Sequence, residues 1–318
     1  MPAKRGSQQD TPGGALPHGS DPAAGAATEQ TGPRIGLPAD KQARPPAASI
    51  VSHSLQALLA LSSRETIKFM HQRGRLLSAL VRPSLWLLVF AAGFRDVFGV
   101  SVIPPYSTYI EYQVYVVPGL LGIVLLFNGM QSSLAMVYDR EMGLMRLLLT
   151  APLPRSILLT CKLLAGTFLS ILQAYAFFAI CALFRLDLPW WPGVLLALPA
   201  MFLTGLMLGA MGLLVSVYIK QIENFAGAMN FVIFPMFFLS PALYPLWKLQ
   251  ESGATVVYQL ARFNPFTYGI DLIRYAMYGQ MNWQACGVVV ASLVVFLGLA
   301  SWGYDPQRGA MRNKRQGS

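Results

Sequence analysis

Asp139, Arg140, Glu141 and Arg146 place four charges within eight residues, between two long apolar stretches. Met142, Met145, Leu148 and Leu149 recur among them at helical spacing, and Pro152 and Pro154 end the element. A short helix with one apolar and one charged face offers docking chemistry rather than bond-breaking chemistry. It either seats in a groove on a soluble partner or lies on a bilayer surface. A second group is Asn264, Pro265, Asp271 and Arg274. Pro265 disfavours a helical conformation at Asn264 and suits a first helical position, so Asn264 is placed to cap the helix that follows. Asp271 and Arg274 stand three apart and can pair on one face. Three amides, Asn128, Gln131 and Gln173, interrupt apolar runs. They face a polar path or bond from helix to helix. Phe231, Phe234 and Phe238 share a helical face that either lines a path for a lipophilic substrate or meets lipid and other helices.

Other chemistry is excluded by residue type. His18, His53 and His71 all precede the first apolar run, so no mechanism with an intramembrane imidazole is available. Cys161, Cys181 and Cys286 show neither metal-ligand spacing nor an even count for a disulfide framework. A phosphate-binding loop needs Gly-Lys before Ser or Thr. None of Lys4, Lys41, Lys68, Lys162, Lys220, Lys248 and Lys314 follows a glycine, so this chain carries no such ATP site. No catalytic residue, bound metal or cofactor is expected.

The elements that must position these groups are membrane helices. Of 318 residues, 54% are hydrophobic and only 12% charged, with mean hydropathy +0.48. A soluble domain carries roughly 25% charged residues. The net charge of +10 would suggest nucleic acid in a soluble protein; in a membrane protein it reflects Lys and Arg collected on the cytoplasmic side, and no nucleic-acid partner is expected. Uncharged stretches lie between Glu111 and Asp139, Lys162 and Arg185, Asp187 and Lys220, Glu223 and Lys248, and Arg274 and Asp305, each longer than the ~20 residues one crossing needs. A further span over Leu76–Phe94 is interrupted by Arg82 and Pro83. The expected fold is therefore an all-α polytopic membrane protein with six transmembrane helices. Pro241, Pro245 and Pro265 break the chain before the last span, predicting short, partly re-entrant outer helices. Ser54–Leu77, with Arg64, Lys68, His71 and Arg75 in one stripe, predicts an N-terminal interfacial amphipathic helix or a soluble extension of the first span.

Residues 1–48 are rich in Gly, Pro and Ala and predict a disordered cytoplasmic tail. Residues 50–304 form the six-span domain, and residues 305–318 a basic cytoplasmic tail. With both termini cytoplasmic, Lys and Arg concentrate on the inner loops, as the positive-inside rule requires.

Two segments carry a resemblance. Tyr138-Asp139-Arg140-Glu141-Met142-Gly143, continuing to Pro152, resembles the Asp/Glu-Arg-Glu-x-Gly…Leu…Pro segment of type-2 ABC transporter permeases. Asn264-Pro265-Phe266-Thr267-Tyr268, continuing to Arg274, resembles that family's segment before the last span. Arg82, Asn128-Gly129-Met130-Gln131 and Asn224-Phe225-Ala226-Gly227 look most like the branch associated with bacterial quinoprotein alcohol oxidation. The resemblance implies the permease subunit of an ATP-driven exporter in a bacterial inner membrane. Two permease copies would pair with separate ABC ATPase subunits that hold ATP and Mg. It assigns Asp139, Arg140, Glu141, Gly143 and Arg146 to the ATPase contact through a short cytoplasmic coupling helix. It assigns Asn264, Pro265, Asp271 and Arg274 to the outer gate. Asn128, Gln131, Phe231, Phe234 and Phe238 are the candidates for the substrate path. The competing class is a membrane-embedded enzyme acting on lipid-linked substrates. It would need ionisable residues gathered at one membrane face, whereas Arg95, Asp96, Glu111, Asp271 and Arg274 are scattered along the sequence.

Overall fold

The computed structural model describes residues 73–93, 104–106, 109–142, 155–219 and 221–303, with Ser63 and Ile67. These residues form helices joined by short connections. In chain order they are α1 (Arg73–Gly93), α2 (Tyr112–Glu141), α3 (Arg155–Leu183), α4 (Gly193–Tyr218), α5 (Ile222–Phe238), α6 (Leu246–Glu251), α7 (Thr255–Phe263), α8 (Pro265–Met277) and α9 (Trp283–Gly303).

Helix α2 is the centre of the bundle. Val117, Leu120, Leu121, Leu125, Leu126 and Met130 are all fully buried, and α1, α3, α4, α5 and α8 pack around it. Its 30 residues rise about 45 Å, more than the ~30 Å of a bilayer's hydrocarbon. Helix α4 lies against it through small residues. A Cβ on Gly129 of α2 would stand 3.0 Å from the backbone nitrogen of Gly209 on α4, so the two backbones meet with no room for a side chain. The Gly205 and Gly209 pair of α4 also receives Thr167 and Leu163 of α3. The small-residue motif thus joins helices of one chain.

Among the described residues, four helices are long and apolar enough to cross a membrane: Tyr112–Tyr138, Leu159–Leu183, Gly193–Tyr218 and Trp283–Gly303. The other two expected crossings fall on shorter apolar stretches, Leu80–Val89 and Ile222–Phe238. Arg82 and Pro83 interrupt the first. The second is 17 residues, starts beside Glu223 and stops where Ser240-Pro241 turns the chain. Helix α9 is apolar all round yet buries only Ala285, Val289 and Ala300, as suits a helix facing lipid.

Only the start of the charged loop falls within the described residues. Asp139, Arg140 and Glu141 do not open a separate short helix; they are the last turn of α2, which closes at Met142. The backbone of a long span continues through them because nothing in Tyr138–Glu141 breaks a helix. Gly143, Arg146 and the remainder of that loop lie outside the described residues, as do both tails and most of the expected interfacial helix.

Candidate functional site

At one end of the bundle, Arg140 and Glu141 hold two other helices. The Arg140 guanidinium donates to the Ser216 carbonyl at 3.1 Å, in the last turn of α4. The Glu141 carboxylate accepts the Ile222 N–H at 3.3 Å, at the start of α5. Each charge meets the helix end it favours: a cation at exposed carbonyls, an anion at free N–H groups. Three helix ends are therefore tied together by two consecutive residues. Asp139 shares the turn; Gly143 and Arg146 of the same candidate set lie outside the described residues.

At the other end, the linker Leu239–Leu243 is clamped from several sides. Arg274 donates through one Nη to Asp271 at 2.9 Å and through the other to the Pro241 carbonyl at 2.8 Å. Its guanidinium lies 4.4 Å over the Tyr115 ring. Tyr115 donates its hydroxyl to the same Pro241 carbonyl at 3.0 Å, and Tyr112 donates to the Leu243 carbonyl at 2.7 Å. Asn264 caps α8 by accepting the Phe266 N–H at 3.0 Å. Its Nδ2 donates to the carbonyls of Met236 and Leu239, both at 2.7 Å, where α5 ends. Pro265 takes the first helical position. A Cβ on Gly119 would lie 2.5 Å from the Ala242 carbonyl oxygen, so only glycine lets α2 touch this linker. Arg274 is 5% exposed, so its charge is held by protein rather than by water. Burial raises the Asp271 carboxyl above the ordinary carboxylate range, and Arg274 pulls it partly back. Sequence reasoning found Asn264, Pro265, Asp271 and Arg274 but missed Tyr112, Tyr115 and Gly119, whose partners stand more than a hundred residues away.

The path candidates separate into two places. Asn128 and Gln131 of α2 gather with Gln173 of α3 and Arg82 of α1 around a cavity of about 30 Å³. The Arg82 guanidinium stands 3.9 Å from the Phe127 ring centroid. Phe231, Phe234 and Phe238 do not join them. They lie on the outer surface of α5, 79%, 42% and 44% exposed. Phe234 and Phe238 stack, and Trp86 of α1 meets Phe237 and Phe238. The missed member of the niche is Arg82; a charge inside an otherwise apolar run was the signal for it.

Long apolar helices packed through glycines, with charges held at their ends, define a multi-pass membrane protein. The chain belongs to the ABC-2 type transporter family, whose pattern matches residues 56–278. It is 26% identical over 231 residues to ycf38 of Cyanophora paradoxa, a protein named as a transport permease; the match covers 72% of this chain and 76% of that protein. A ycf38 of Pyropia yezoensis is 26% identical over 254 residues, covering 76% and 80%. Nodulation protein J of Rhizobium leguminosarum bv. viciae is 35% identical over a shorter stretch of 108 residues, 33% of this chain and 40% of that protein. The chain is thus a transport permease in type, with the apolar helices that such a role requires.

Proposed function

We propose that the chain is the membrane subunit of an ATP-driven exporter, forming a six-crossing permease in which α1 and α5 complete the four long spans. Both termini face the cytoplasm, in the inner membrane of a bacterium. Two copies pair, and the substrate path forms between them rather than within one. The exposed Phe231, Phe234 and Phe238 face of α5, with Trp86 beside it, supplies the apolar surface at that junction. ATP and Mg are held by a separate ABC ATPase subunit, which grips the loop after Glu141. Asp139, Arg140, Glu141, Gly143 and Arg146 form the contact and its root. Asn264, Pro265, Asp271 and Arg274 set the outer gate by fixing where α5 ends and α8 begins.

One observation carries this reading. Arg140 and Glu141 join the end of α2 to the ends of α4 and α5. A force on the loop that follows reaches three helices at once, which is what a lever between an external motor and a helix bundle must do. Co-purification tests it. The chain, extracted in native lipid, is expected to bring an ATPase subunit with it and to stimulate ATP hydrolysis when the two are reconstituted. A chain that never associates with an ATPase overturns the reading.

A further inference from the structure

Arg82 lies against Phe127, near the middle of the Tyr112–Tyr138 span. A guanidinium at that depth is expensive unless something there balances it, and such a residue marks a functional site by default. No carboxylate among the described residues pairs with it or lines the cavity beside it. The Phe127 ring recovers only part of the charge's lost hydration. The cavity is walled by Arg82, Asn128, Gln131 and Gln173 together with apolar side chains. Gln173 is 1% exposed, and its Oε1 has no hydrogen-bond partner. A buried side-chain polar atom left unpaired is uncommon and asks for a missing group.

The donors and acceptors specify that group. A guanidinium together with amide N–H groups is a donor set for anionic oxygens, phosphate above all. The unpaired Gln173 oxygen needs a hydroxyl or N–H from the same molecule. Arg82 is exposed on α1, so the niche is open beside that helix, where a molecule of the surrounding bilayer can reach it. We infer that this niche binds the phosphate-bearing, hydroxylated headgroup of a membrane amphiphile, with the phosphate on Arg82 and the hydroxyl on Gln173. The inference requires only that these helices cross a bilayer. It rests on neither ATP coupling nor the direction of transport, so its failure leaves the transport reading standing.

Binding to the purified full chain in detergent tests it, by native mass spectrometry with short-chain phosphatidylglycerol. Phosphatidylcholine of the same chain length and inorganic phosphate serve as competitors. Phosphatidylglycerol is expected to bind saturably; phosphatidylcholine, which keeps the phosphate but lacks the hydroxyls, is expected to displace it only at several-fold higher concentration, and inorganic phosphate not at all. Arg82→Gln is expected to weaken binding by about tenfold or more, the factor set by one charged hydrogen bond. Arg82→Lys restores part of it, and Gln173→Leu weakens it by a smaller factor. Equal affinity for phosphatidylcholine, or unchanged affinity in Arg82→Gln, overturns the site. Displacement by inorganic phosphate overturns the lipid source in favour of a water-borne anion. Should Arg82→Gln fail to fold, Gln173→Leu and Asn128→Leu carry the same measurement, and unchanged binding in both overturns the proposal.

Discussion

Arg274 donates to the carbonyl of Pro241, 33 residues before it, and stacks over the ring of Tyr115, which donates to that same oxygen. One carbonyl thus collects a guanidinium from α8 and a phenol from α2. The linker between α5 and α6 is held at a fixed height in the bundle by this junction. Removing the guanidinium leaves Asp271 without its cation and Pro241 with half its partners. Arg274→Ala is expected to cost about 3 kcal/mol, the range for breaking a buried ion pair from one side. The shift in the thermal unfolding midpoint in detergent measures it, and a change within error would show that the clamp carries no load.

Asp271 is expected to behave differently from its partner. Burial raises its carboxyl above the ordinary range, so folding favours the protonated form relative to water. A raised carboxylate contributes stability that is full below its unfolded value and is lost as pH rises through the folded one. Wild-type stability is therefore expected to increase on mild acidification from neutral pH. Asp271→Asn, neutral throughout, should lack that increment while keeping the Arg274 bond to Pro241. Parallel pH profiles for the two proteins would contradict this assignment.

Asn264→Asp separates the two duties of one side chain. The acid still accepts the Phe266 N–H, so the cap of α8 survives. It loses the Nδ2 donor that satisfies the Met236 and Leu239 carbonyls. Placing a carboxylate against two carbonyls costs about 1–3 kcal/mol, against the near-neutral exchange expected at a simple cap. Unfolding of Asn264→Asp beside Asn264→Ser distinguishes the cases. Equal stability of Asn264→Asp and wild type would mean that capping is the whole role.

Glycine substitutions test the close approaches. Gly119→Ala drives a Cβ into the backbone at Ala242, where no side chain can swing aside. A loss of about 1–3 kcal/mol is expected, as for other overpacked sites. Gly227→Ala, on α5 with nothing within 4 Å of its added Cβ, should be neutral or slightly stabilising. The pair shares one chemistry and differs only in surroundings, so similar unfolding midpoints would refute the packing described at Gly119.

The sequence made much of this visible, and unevenly. Charge gaps located the four long crossings to within a few residues, because hydrocarbon tolerates no alternative backbone arrangement. The Asn264 cap and the Asp271–Arg274 pair were legible because both are local, spanning two or three positions. Tyr112, Tyr115 and Gly119 were not, since nothing in their neighbourhood along the chain announces Pro241, Ala242 or Leu243. The aromatic stripe of α5 had a correct period and an open destination: spacing shows that Phe231, Phe234 and Phe238 share a face, but only packing shows that this face turns outward. Arg82 was read as an interruption of a span. Its meaning as part of a polar niche required the amides of two other helices to be brought beside it.

Glu141 offers the most direct test of coupling. Its carboxylate is exposed, and its bond to the Ile222 N–H is one solvent-facing contact at a helix start. Glu141→Ala should therefore cost no more than about 1 kcal/mol of stability. The functional effect is expected to be much larger, because that bond ties α2 to α5 beside the loop an ATPase would push. In a reconstituted complex, Glu141→Ala is expected to retain ATP hydrolysis while export falls several-fold, and Arg140→Ala, which frees α4, should do the same. Glu141→Gln keeps an acceptor for Ile222 and should recover part of the export, whereas a pure charge contact with the motor would not tolerate it. Hydrolysis and transport measured on the same vesicles decide the matter: unaltered export in both alanine variants would remove Arg140 and Glu141 from the transmission of force, and loss of both activities together would place them in assembly instead.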